Sequence, residues 1–132
     1  HLSFGRLSKE DAAAACRRSL IPDARLNRAR ISRSSLRISN LGLEGAAPGE
    51  RATLHAYLNL PEADHRTPAD GDRRIATLEF EWNGRPETRI KVVTRKTQAG
   101  IGEGEVALTL VSERPEHRFH FSGLHLEILA TA

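Results

Sequence analysis

The chain has 132 residues, one cysteine, no methionine and a formal net charge of +3. That length suits one domain with a real core. A single cysteine rules out an intrachain disulfide or a thiolate metal cluster, and no apolar run is long enough to cross a bilayer as a helix.

The first seven residues read as irregular. "LSKEDAAAACRRSLIP" then carries the strongest helix signal, over about residues 8–20. Ser8 sits at the N-cap position with Asp11 three residues on, and four alanines follow. Pro22 stops the run. Cys16, within the alanine run, reads as a small packed hydrophobe rather than a reactive thiol. Residues 1–40 carry nine Lys/Arg against three Asp/Glu, and residues 41–132 carry eleven against fourteen. The excess lies in "RLNRARISRSSLR", residues 25–37, with Arg25, Arg28, Arg30, Arg33 and Arg37. These arginines either solvate a connector or bind an acidic partner. Nucleic acid is not favoured, because no aromatic residue lies between Phe4 and Tyr57 for bases to stack on. Residues 1–34 are expected to form an N-terminal arm, and 35–132 the folded domain.

Beyond residue 30 the hydrophobic period becomes two. "SSLRISNL" places Leu36 and Ile38 on one face. In "LHAYLNLPE", Leu54, Ala56, Leu58 and Leu60 alternate with His55, Tyr57 and Asn59, and Pro61 ends the run. "RRIATLEFEW" sets Ala76, Leu78, Phe80 and Trp82 against Ile75, Thr77, Glu79 and Glu81. Asn83-Gly84 is a tight-hairpin dipeptide leading past Pro86 into "TRIKVVT". "EVALTLVS" turns Val106, Leu108 and Leu110 inward, "HRFHF" turns Phe119 and Phe121, and "LHLEILA" turns Leu124, Leu126 and Ile128. About seven short strands at this spacing predict an all-β, antiparallel, jelly-roll-like β-sandwich with one short N-terminal helix. The polar loop over 62–72 and the Gly-rich loop over 98–105 are where function on a sandwich tends to sit.

Tests for chemistry give little. Gly100, Gly102 and Gly104 precede a strand rather than a helix, so they read as a loop, not a phosphate cradle. No pair of the six histidines has zinc-enzyme helical spacing. His120 and His125 point away from the core on neighbouring strands and could meet over a Cu or Zn ion. If His1 is a native terminus, its α-amino group and ring could chelate copper; a cloning remnant or proteolytic start explains it equally well. The metal candidates are therefore His1, His120 and His125. Glu79 and Glu81 occupy an exposed strand face, the ordinary solvated place for them. No nucleophile elbow is present. A start at His1 reads as a processed product or a fragment of a longer chain. The compartment stays open, leaning to secreted or periplasmic.

The order of elements resembles the C-terminal β-sandwich domain of tyrosinases and polyphenol oxidases, the type-3 copper oxidases. The resemblance rests on "LRISNLGLEGAAPGERATLHAYLNLPE", then "IATLEFEW", "IKVVT", the strand over 106–111 and the closing strand over 121–128. It covers roughly residues 35–130, and only "YLNLPE" is specific. It implies that a dicopper site with six histidine ligands belongs to a separate helical domain, over which this module packs and blocks entry. Some members of that family also carry a copper-delivering Cys pair, which this chain, with Cys16 alone, lacks.

The leading expectation is thus a module without catalysis of its own, shielding or regulating a protein partner or catalytic copper domain. No cofactor is expected to bind this chain, with copper possible. The alternatives are a small copper-binding protein using His1, and a basic-arm adaptor for an acidic partner. No membrane partner is expected, and the oligomeric state is open.

Overall fold

The computed structural model describes residues 2–21, 30–60, 62–67, 73–93 and 105–131. Among these lie nine strands: β1 (Leu2–Ser3), β2 (Ala15–Leu20), β3 (Arg30–Glu44), β4 (Arg51–Leu58), β5 (Arg74–Glu81), β6 (Glu87–Val92), β7 (Val106–Ser112), β8 (Arg118–His120) and β9 (Gly123–Thr131). They form two antiparallel sheets. One runs β1-β9-β3-β6, with β8 also paired to β3, and the other runs β2-β7-β4-β5.

The core forms where the apolar alternations of both sheets meet. Leu36, Ile38, Leu124 and Leu126 from the first sheet cluster with Leu54, Ala56, Leu58, Phe80, Val106, Leu108 and Leu110 from the second. These are the inward residues that the period of two predicts. β8 and β9 follow one continuous register along β3, from Glu44↔Arg118 to Ile38↔Leu124. The line breaks at Phe121, which exchanges backbone bonds with Leu7 instead (3.0 and 2.9 Å). This break explains why odd-numbered Phe119 and Phe121 and even-numbered Leu124 and Leu126 all face the core.

The helix expected over residues 8–20 is absent. Ser8 and Asp11 do pair, Oγ to Oδ2 at 2.9 Å, but around a single 3-10 turn at Lys9–Asp11. Residues 15–20 are β2, whose six residues register with β7 from Ala15↔Val111 to Leu20↔Val106. Helix propensity is worth a few tenths of a kcal/mol per residue, and a short isolated helix is marginal. The edge of β7 offers a full row of backbone bonds and a buried seat for Cys16, and it prevails. Burial pushes the Cys16 thiol pKa up, opposed by the nearby Arg18, as suits the packed role.

The hairpin expected at Asn83-Gly84 is a crossing between sheets. β5 and β6 are edge strands of different sheets. Trp82 is held back on the turn over 47–50, donating to the Glu50 carbonyl at 2.8 Å and accepting from Gly49 at 2.7 Å. Asn83 Oδ1 accepts from Arg85 N at 2.9 Å, and Gly84 takes φ +87°. The dipeptide makes the tight turn its chemistry favours; the core decides which sheet the next strand joins.

The face of β4 opposite the core is covered too. His55 and Tyr57 are buried, and Tyr57 clusters with Ala63, Val111 and Leu60. His55 Nδ1 lies 3.0 Å from Thr77 Oγ1, to which Arg74 also donates, and its Nε2 lies 3.8 Å from Glu113. Arg74 occupies the hydroxyl, so this line reads as a polar staple across β4 and β5.

Candidate binding site

At one end of the sandwich, beside the Leu7–Phe121 bridge, lies an open depression of about 400 Å³. Its lining combines apolar Leu7, Pro86 and Phe121, polar Ser8, Asn40, Ser122 and His120, and cationic Arg6 and Lys9.

Asn40 fixes the shape. It takes φ +52°, a left-handed conformation that Asn tolerates better than most residues. This sits at the register shift between Ile38 and Leu41. Its backbone N–H donates to Thr88 Oγ1 at 3.3 Å, and its Nδ2 donates to Ser122 Oγ at 2.8 Å. Ser122 Oγ in turn donates to the Ser39 carbonyl at 3.2 Å. β3, β6 and the link between β8 and β9 are thereby tied together at one asparagine.

His120 stands on β8 opposite Gly42 of β3. Its ring occupies the space a side chain there would need, since a Cβ at Gly42 would collide with it. Its Nε2 lies 3.8 Å from Glu44 Oε1, and Lys9 Nζ lies 3.7 Å from that same oxygen. Burial lowers the His120 pKa below the ordinary histidine range, against the pull of Glu44. Burial thus favours the neutral imidazole, which is both a donor and an acceptor. Arg6 and Lys9 supply the cationic groups of the lining, with Lys9 paired to Glu44.

The lowered pKa gives a testable pH dependence. A histidine kept neutral in the fold binds fewer protons than the same residue unfolded. Stability therefore falls as pH drops through the unfolded value near ~6.5 and toward the folded one. Thermal melts from pH 8 to 5 are expected to fall less steeply for His120→Gln than for wild type. Equal slopes would show that His120 is not desolvated.

The histidines singled out from sequence separate. His120 registers with Gly42 and His125 with Arg37, positions five steps apart on β3, roughly 16 Å. Among the described residues no three His, Cys, Asp or Glu side chains group to hold a metal. His1, Arg25 and Arg28 lie outside the described residues. Arg30 and Arg33 fall on β3 opposite Thr131 and Leu129. Arg37 reaches Glu127 at 3.5 Å, both side chains about half exposed, a pair worth little by itself. Sequence reasoning missed Arg6, Lys9 and Asn40. Only Asn40, a turn former inside an apolar alternation, gave a local signal.

The class defined here is a two-sheet antiparallel sandwich with an open site at one end. Comparison with protein-family models and with curated proteins gave no match. Solved structures did match. A recombinantly expressed latent aurone synthase, a polyphenol oxidase, aligns at TM-score 0.57 and 11% identity, over 90% of this chain and 24% of that one. The same enzyme from natural source aligns at 0.56 and 9%, over 99% and 28%. Latent apple tyrosinase aligns at 0.55 and 12%, over 95% and 28%. The sandwich expected from the sequence resemblance is the fold these structures share with this chain. The chain spans about a quarter of their length.

Proposed function

We propose that this chain is a non-catalytic sandwich module that packs against a partner domain and restricts access to it, the partner being a type-3 copper phenol oxidase. One observation carries the reading: nearly the whole chain matches about a quarter of enzymes described as latent, leaving the rest of each enzyme unmatched. Copper chemistry would then belong to the partner. In this reading the depression lined by Arg6, Lys9 and His120 receives a polar, partly apolar segment of that partner.

The test is to isolate the chain with its bound partner from its source cells. The expected partner holds two copper ions per molecule and oxidises o-diphenols faster once the module is removed. A partner without copper, or one equally active with and without the module, would overturn the proposal.

A further inference from the structure

β6 ends the first sheet, and the bonding direction along it can be deduced. Val93 donates its backbone N–H to the Ser34 carbonyl at 3.0 Å. Bonding direction alternates along an antiparallel ladder. Lys91 and Arg89 therefore bond to β3, which they face at Leu36 and Ile38. Thr88, Ile90 and Val92 turn their N–H and C=O groups to the open side. Among the described residues no backbone group bonds them there. The same residues carry exposed apolar side chains, Ile90 at 59% and Val92 at 53% exposure.

Sheet edges are usually blunted by an internal proline, a bulge, very short length or charged side chains, Lys above all; the charges of β6, Glu87, Arg89 and Lys91, are of both signs, so they can pair as well as repel. Here Pro86 falls just before the strand, and the register shift lies on the β3 side, between Ile38 and Leu41. Six residues of regular edge remain.

We propose that two copies of this chain join through β6, antiparallel about a two-fold axis at Arg89, so that their five-stranded sheets become one. A two-fold pairing must set edge-facing residues against edge-facing residues, and two registers overlap the strands well. Centred on Ile90, the pairing puts Arg89 opposite Lys91 of the second copy twice over, a like-charge arrangement. Centred on Arg89, it puts Glu87 opposite Lys91 twice and Thr88 opposite Ile90 twice. The two Arg89 residues then meet at the axis, one like-charge contact against two opposite-charge pairs, and each Arg89 is also held within its own copy. Its Cζ lies 4.4 Å from the Phe80 ring centroid, and its Nη2 lies 3.1 Å from Glu87 Oε2. Val92 comes opposite Pro86 of the second copy, whose carbonyl accepts the Val92 N–H. Charge complementarity thus selects a second copy as the occupant and fixes its register. This inference rests on β6 alone and is independent of the partner-domain reading.

Sedimentation equilibrium of the full chain over a wide concentration range tests it. The wild type is expected to show a monomer–dimer equilibrium. Ile90→Pro removes an N–H that faces the open edge, not β3, so it should abolish the dimer while circular dichroism and the melt stay near wild type. Glu87→Lys and Lys91→Glu should each weaken association by about threefold or more, and the double swap should restore it. A wild type that stays monomeric throughout, a folded Ile90→Pro dimer, or a double swap no better than the single variants would each overturn the proposal.

Discussion

Phe119→Ala is expected to cost about 3–5 kcal/mol, a large part of the 5–15 kcal/mol typical of a domain. Phe119 is fully buried on β8, with its ring 6.3 Å from that of Phe121 and 16° from parallel. Its backbone also holds the N-terminal segment, exchanging bonds with Ala13 at 3.1 and 2.8 Å. Truncation leaves a cavity where residues 7–20 meet the body of the sandwich. Two readouts should move together. The urea midpoint should fall, and trypsin should cut sooner after Arg17 and Arg18 in β2. Phe119→Leu keeps most of the volume and should cost about 1.5 kcal/mol or less. An alanine variant with an unchanged midpoint would mean that this end of the core is loosely packed.

Phe119 sits against the part of the fold that is least legible in the sequence. The alternations of β3, β7 and β9 were readable because each is local: Leu36 and Ile38, Val106 to Leu110, and Leu124 and Leu126 face inward as spaced. β2 was not readable, because its strand state depends on β7, with Cys16 paired to Leu110 far along the chain. Local propensity pointed to helix and the distant pairing overrode it. The turn at Asn83-Gly84 failed in the same way. Its geometry is local, while the sheet that receives β6 is settled by the whole core. The depression was legible only in fragments. His120 stood out for its outward position, yet its neighbours come from two distant segments, Lys9 from the 3-10 turn and Asn40 and Glu44 from β3, with no motif spacing to link them. The likeness through "YLNLPE" pointed to the right fold through few residues, and one of them has a definite physical task.

That residue is Asn59, and Asn59→Ala is expected to cost about 2–4 kcal/mol. Asn59 takes φ +56°, where a Cβ-bearing residue other than Asn or Asp is penalised by roughly 1–2 kcal/mol. It closes the ladder between β4 and β7 twice. Its N–H donates to the Ala107 carbonyl at 2.7 Å, and its Oδ1 accepts from Ala107 N at 2.9 Å. Alanine keeps the first bond, loses the second and strains the backbone; leaving the Ala107 N–H unpaired adds about 1–3 kcal/mol. Glycine relieves the strain and still lacks the acceptor, so Asn59→Gly should fall between wild type and Asn59→Ala. Asn59→Asp keeps both acceptor and conformation and should be mildest. Urea midpoints in that order would confirm the dual role; alanine equal to glycine would remove the strain component. The left-handed turn also explains why Leu60 leaves the core alternation. It packs with Tyr57, Ala63 and Val111 on the opposite face of the sheet. One asparagine thus ends β4 and carries the chain over Tyr57, and its loss should expose that ring as well as lower stability, readable as a shift in tyrosine fluorescence.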